Sequence, residues 1–424
     1  MKHSVIKKFF PSKRTAKDSF TTLIGDFVSK GFLFFVNLIL MKVASQEDFA
    51  LFTIYVTFLG LGQQFSDLGI NQGTIKFYSV YKSSDPERAD GFLSLGFRLK
   101  FISAFSLALI YLGLAYPTAI YGYQQETHVL PLVIAAIGTF GGSMFDFLQA
   151  AQQSKQDYKK LALFKTAEGF IKLGGLLLLV FIKEFAINKV FWIYSIVPLI
   201  IFIAGYKFIG KKAMPTNAKS IFDALYGSSK WIFLAGLTTM IMVRLDIIML
   251  SFLKVSDLTG LAVYSAGIKL CVPLQVAAAS MNTVFFPKAM EITKRGEIKA
   301  FIFSTLKITL PLSVGFILFA VMIEFIMPLI FPNYIGALPV FHILVIAFLF
   351  NLLGNPITVI LFAINKQKVA LNINIIQLVV NLVANLILYY YFSAIGIAIG
   401  TLITYLMGGF ITFYYIWRFL KNNS

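Results

Sequence analysis

Long apolar stretches recur along this chain, separated by short polar or basic breaks, and each is read as a membrane-crossing helix. In order they cover about 19–41, 49–70, 91–115, 128–151, 161–182 and 190–209. After the loop GKKAMPTNAKS (210–220) come 221–253, 258–284, 300–331, 338–362, 369–392 and 395–417. Each reaches at least the ~20 residues that a rise of about 1.5 Å per residue needs to span a hydrocarbon core. The pattern therefore predicts an all-α integral membrane protein of about twelve spans in two six-helix lobes, 19–209 and 221–417. A cytoplasmic tail (1–18), a cytoplasmic linker (210–220) and a second tail (418–424) complete the predicted organisation.

Composition agrees with the pattern. The chain is 58% hydrophobic and only 13% charged, where a soluble domain carries about a quarter charged residues. The net charge of +18 would point to nucleic acid in a soluble protein, but topology accounts for it here. With the N-terminus inside, cytoplasmic tails and loops hold 24 Lys and Arg, external loops 4, and the spans the other 9 of the 37. That bias sets both termini in the cytoplasm and makes anionic headgroups, not nucleic acid, the partner of the basic loops. External loops are short, the longest being about 116–127, which leaves no room for an external catalytic domain. One cysteine, Cys271, and three scattered histidines form neither a disulfide framework nor a metal set.

A shift of 212 residues lays MKVASQEDFALFT (41–53) on LKVSDLTGLAVYS (253–265) without a gap. Lys42, Val43 and Ala50 then fall on Lys254, Val255 and Ala262, and Phe52 falls on Tyr264. Six spans per repeat would let both halves enter the membrane in the same direction, a known transporter plan with its site at the repeat interface, with chance similarity between apolar stretches as the alternative.

The charges inside the spans are the candidate chemistry. An ion at the bilayer centre costs at least ~2.5–3.5 kcal/mol, so each must face protein or water. The cations are Lys30, Arg98, Lys100, Lys165, Lys172, Lys230, Arg244, Lys269 and Lys307. Arg98, Lys100, Lys165 and Lys307 lie near inner helix ends, where long side chains also reach headgroups by snorkelling. Lys30, Lys172 and Lys269 are placed near the midplane, and Lys269 has no acid within reach on its own helix. Lys30, Arg98, Lys172, Lys230, Arg244, Lys269 and Lys307 are the candidates for binding an anionic substrate such as a diphosphate. Acids accompany them at Asp26, Asp67, Asp146, Glu168, Asp246 and Glu324. Asp26 stands four residues before Lys30, and Glu168 four before Lys172, spacings that favour ion pairs on one helix face. Arg244 and Asp246, two apart, point to different partners. Asp26, Glu168 and Asp246 are the candidates for coupling to an ion gradient, with a purely structural pairing as the alternative.

Two polar stripes complete the inventory. Asn374, Gln377, Asn381 and Asn385 line one face of the eleventh span, as interhelical glue or as a sugar-binding surface. Gly396, Gly400, Thr404 and Gly408 form a small-residue ridge on the twelfth. No Walker A sequence, G-x-S-x-G elbow, H-E-x-x-H or dinucleotide fingerprint occurs, so the chain reads as a transporter without cofactor rather than an enzyme.

Three stretches carry a resemblance: SDLGINQGTIKFYS (66–79), SSKWIFLAGLTTMIMVRLDIIMLSFL (228–253) followed by GLAVYSAGIKL, and INKQKVALNINIIQLVVNLVANLILYYYFSAIGIAIGTLITY (364–405). In this order and spacing they resemble the polysaccharide (O-antigen, or Wzx-type) flippases of the MATE-like superfamily. The resemblance implies a MATE-like pair of six-helix lobes around a cationic cavity. It implies transfer of an oligosaccharide on undecaprenyl diphosphate, for O-antigen lipopolysaccharide or a capsular polysaccharide, from the inner to the outer leaflet. Polysaccharide polymerase machinery would be the partner downstream. Export of lipid II or a teichoic-type glycan, and MATE-type drug/cation antiport, are the alternatives.

Overall fold

The computed structural model describes residues 13–210, 218–253, 258–290, 295–364 and 366–421. Much of the predicted linker, Lys254 and most of the basic N-terminal tail lie outside the described residues. Among the described residues every regular element is helical: α1 (Lys13–Val43), α2 (Gln46–Asp67), α3 (Ile70–Tyr81), α4 (Pro86–Pro117), α5 (Val129–Lys155), α6 (Tyr158–Phe181), α7 (Ile187–Gly205), α8 (Ala218–Leu253), α9 (Thr259–Leu270), α10 (Val272–Met290), α11 (Arg295–Ile330), α12 (Ala337–Ala363) and α13 (Gln367–Lys421). Among the described residues eight helices are long and apolar enough to cross a membrane, or nine with the bent pair α9–α10 taken as one. The protein is therefore a multi-pass, all-α membrane protein.

Local chemistry explains the breaks. Ser45 caps α2 by accepting from the Asp48 N–H, and Asp85 caps α4 from Arg88. Between α2 and α3 the chain turns through two left-handed residues, Leu68 (φ 47°) and Gly69 (φ 75°). The glycine takes that conformation without a Cβ penalty, which lets α3 leave α2 at once. The 55 residues of α13 are likewise broken at Ser393, whose φ of 50° divides the predicted eleventh and twelfth spans.

The chain divides into two compact units, 24–258 and 259–424 together with 1–23. In the first, a core of Leu93, Phe145, Phe147, Leu148, Val197 and Ile201 binds α4, α5 and α7. Tyr55 of α2 donates to the Phe191 carbonyl (3.0 Å) and meets Ser195 Oγ at 2.6 Å, and Ser195 donates to the Ile134 carbonyl. The second unit is centred on Phe285, Phe301, Ile360 and Ile416 from α10 to α13. Here the amide stripe meets the small-residue ridge. Gln377 Nε2 donates to the Thr404 carbonyl at 3.2 Å, and the Cβ positions of Gly400 and Gly408 are filled by Asn385 and Gln377. The glycines thus allow close approach, and the amides hold the two parts of α13 together.

The 212-residue repeat matches in burial. Ala50 and Ala262, and Phe52 and Tyr264, are each at most 1% exposed. By that repeat α8 is the counterpart of α1. Its contacts nevertheless lie with α2, α3 and α4 in the unit 24–258.

Candidate functional site

The charged residues of the unit 24–258 fall into two groups. The first is neutralised. Lys100 of α4 is fully buried and bridges to Asp67 Oδ1 at 3.1 Å while donating to Ser66 Oγ at 3.3 Å. Ser66 is fixed in turn by Ser143 Oγ (2.6 Å) and by Ser103, which donates to its carbonyl (2.7 Å). Asp67 also accepts from the Asn71 N–H across the turn. The stretch SDLGIN therefore works as a socket for a buried lysine. Snorkelling, the alternative considered for Lys100, does not occur here, because its ammonium is buried and bound to Asp67 and Ser66.

Asp26 corrects a second expectation. It does not pair with Lys30 but with Lys165 of α6, at 2.6 Å. The reason is helix packing. Gly25 lies so close to α6 that a Cβ there would stand 2.6 Å from that of Ala162. Gly169 packs likewise on the Ser29 carbonyl, at 2.8 Å. At that separation the Lys165 ammonium reaches Asp26 across the interface. An i,i+4 pair contributes only about 0.2–0.5 kcal/mol and yields. Glu168 and Lys172 pair as their spacing predicts, with Lys172 nearly buried and its Nζ 4.5 Å from the centre of the Tyr194 ring. Asp146 of α5 lies within electrostatic range of Lys100, Asp67, Glu168 and Lys172.

The second group is different. Released from Asp26, Lys30 is exposed and makes no ion pair among the described residues. Arg244, well along α8, lies against Gly60 of α2, where a Cβ would come within 3.2 Å of Nη2. Among the described residues no carboxylate sits beside its guanidinium, and Asp246, buried two residues on, does not serve it. Of the other predicted cations, Arg98 is exposed, Lys269 is half-buried on α9, and Lys307 is exposed with its Nζ over the Phe303 ring at 4.8 Å. Lys230 belongs to α8, but its side chain lies outside the described residues.

The α8 helix that carries Arg244 is held at both ends. At its start Ile221 and Leu225 pack on Phe92 and Leu95, and Arg88 donates to Ser220 Oγ at 3.4 Å while stacking over Tyr81. At its other end Phe252 stacks on Tyr123 at 5.0 Å. Sequence reasoning did not find Asp67–Lys100, Asp26–Lys165 or the seat of Arg244 at Gly60. Of these, only Gly69 behind Asp67 left a local mark, as a turn signal.

The all-helical chain, with charged side chains buried between apolar helices, has a MATE-like fold. Solved structures agree. Lipid II flippase MurJ in an inward closed conformation matches with a TM-score of 0.74 at 17% identity, over 95% of this chain and 87% of that one. The Vibrio cholerae MATE transporter VcmN, as a point mutant, matches at 0.69 and 17%, over 99% and 98%. An inward-facing multidrug resistance MATE family transporter of the MOP superfamily matches at 0.74 and 13%, over 95% and 98%. The chain belongs to the polysaccharide biosynthesis protein family, whose model matches residues 15–293. No curated protein matches it by sequence.

Proposed function

We propose that this protein is a flippase that moves an undecaprenyl-diphosphate-linked oligosaccharide, an O-antigen or capsular repeat unit, from the inner to the outer leaflet of a bacterial inner membrane by alternating access. Family membership supports a polysaccharide precursor as cargo, and the MurJ-like fold supports a lipid-linked one. The observation that carries the reading is Arg244, a cation inside an apolar helix with no carboxylate beside it among the described residues. A guanidinium presents paired N–H donors that match phosphate oxygens, and a desolvated site strengthens such charge-assisted bonds. Lys30, freed from Asp26, supplies a second positive charge. Lys172 becomes available only when Glu168 lets go of it. Arg98, Lys230, Lys269 and Lys307 extend the cationic path at other depths.

The topology we assign has twelve spans, both termini in the cytoplasm, and lobes at 19–209 and 221–417. Asp26, Glu168 and Asp246 remain the candidates for ion coupling. In the drug/cation antiporter reading Arg244 is in the wrong place, because a cationic cargo would meet an unneutralised guanidinium.

The test is flipping in proteoliposomes of a fluorescent oligosaccharide linked through diphosphate to an undecaprenyl tail. Arg244→Gln, reconstituted at equal density, should flip it at least about tenfold more slowly, the loss expected for one charge-assisted contact of ~1.5–3 kcal/mol. Wild-type rates from Arg244→Gln would refute the diphosphate assignment. Equal rates for an uncharged lipid-linked sugar would refute the substrate class.

A further inference from the structure

The end of α8 opposite its inner clasp is held by three aromatic rings in one stack. His128, at the end of the short turn Glu126–His128, lies flat on Tyr123 with centroids 4.7 Å apart and planes 13° from parallel. Phe252 of α8 also stacks on Tyr123, at 5.0 Å and 16°. The Tyr123 hydroxyl meets Ser251 Oγ at 3.4 Å, so two neighbouring residues of α8 grip this one ring. His128 is 1% exposed. Its Nδ1 lies 3.4 Å from Thr127 Oγ1, and its Nε2 is buried with no hydrogen-bond partner among the described residues.

We propose that His128 is a proton-operated release for this end of α8: the neutral ring completes the stack that holds Phe252, and a protonated ring must leave it. Imidazolium carries N–H donors on both nitrogens. The added proton therefore puts a donor at a buried position that now has no acceptor. His128 meets Tyr123 from the preceding turn and Thr127 beside it, and Tyr123 in turn meets Phe252, Ser251 and Phe58. Glu126 is exposed, and no charged group among the described residues bears on the ring. Stacking on Tyr123 offers a cation–π attraction, but that is smaller than the cost of holding an ion out of water without a partner. Acid therefore favours a hydrated His128, and the Tyr123–Phe252 contact loses its backing.

The consequence concerns α8 as a whole. By the repeat it is the counterpart of α1, but its contacts are with the unit 24–258. Loss of one of its two clasps biases the helix towards leaving that unit. On the orientation proposed above this end faces outside, so external acid would act on it. The proposal concerns helix position and stands whatever cargo the protein carries.

Spin labels at Tyr121→Cys and Val243→Cys, both exposed positions, in a Cys271→Ala background report the distance between the turn and α8. Spectra are taken in liposomes at about pH 8 and about pH 5, on either side of the ordinary imidazole value of ~6.5. The expected result is one distance at the higher pH and a second, longer population in acid, reversible on return. His128→Phe keeps a ring in the stack that takes no proton, and should hold the short distance at both values. Phe252→Ala removes the α8 ring, and should show the longer population already at the higher pH. A wild-type distribution indifferent to pH, or acid lengthening that persists in His128→Phe, would overturn the proposal. So would a Phe252→Ala distribution identical to wild type at the higher pH.

Discussion

Lys100 and Arg244 are both cations carried by apolar helices of the same compact unit, and their surroundings differ. Lys100 is fully buried and bound to Asp67 and Ser66, with Ser103, Ser143 and Asn71 holding those partners in turn. Arg244 has a glycine opposite it and no carboxylate beside it among the described residues. A saturated ion pair fixes helices and has little left to offer a ligand. A cation left without a counter-ion costs the fold stability and is retained where something outside the chain supplies the charge. On this contrast Lys100 and Lys165 belong to the architecture, and in the proposed flippase Arg244 and Lys30 are the cations offered to an anionic cargo, with Lys172 joining them only on release from Glu168.

Breaking the architecture should give the largest effect. Asp67→Asn leaves Lys100 buried without its counter-ion, and loss of one partner of a buried pair costs about 3–5 kcal/mol. Thermal melting in detergent should drop sharply. Replacing both partners, as Asp67→Asn with Lys100→Met, should recover much of that loss. A melting point for Asp67→Asn equal to wild type would remove the distinction on the side of Lys100.

Arg244→Gln should do the reverse. Melting should hold or rise slightly, because an uncompensated charge is removed, while flipping falls by about tenfold or more. Arg244→Lys should retain part of the flipping, since charge remains but the paired N–H geometry is lost.

Gly60→Ala sharpens the comparison without touching a charge. The added Cβ would stand 3.2 Å from Nη2, tighter than ordinary contact, so the guanidinium must shift. Flipping should decrease less than in Arg244→Gln, with melting within about 1 kcal/mol of wild type, because the guanidinium end of a long side chain gives way more readily than backbone. An equal decrease in Gly60→Ala carrying Arg244→Gln as in Arg244→Gln alone would show that the glycine acts through the arginine.

Asp26→Asn should have the smallest effect on stability. Its pair with Lys165 is partly open, with side chains 31% and 24% exposed, and should contribute about 1 kcal/mol or less. If Asp26 is the coupling carboxylate, flipping by this variant becomes independent of an imposed pH gradient. A gradient response identical to wild type would leave Asp26 with Lys165 as part of the architecture.

The sequence by itself determined the class, the helical fold and much of the local detail. Hydrophobic length alone predicts spans, since every backbone polar group in lipid must be satisfied within its own helix. The spacing of Glu168 and Lys172 on one face was enough to predict their pair, which forms. The order of the motifs was enough to reach the family. The amide stripe was legible too: its spacing, beside a ridge of small residues, already offered the interhelical bond that Gln377 makes.

Only the tertiary structure decided which charges meet. Asp26 chose Lys165 over its own-helix neighbour because Gly25 and Ala162 let two helices approach closely, a contact between residues 137 positions apart that no local pattern records. Lys100 found Asp67 for the same reason, across 33 positions. The placement of α8 with the unit 24–258, against its kinship by repeat with α1, likewise depends on residues distant in sequence: Phe92, Gly60 and Tyr123. A charge in an apolar helix announces itself in sequence because its cost is local. Its partner does not, because the partner is set by how helices pack.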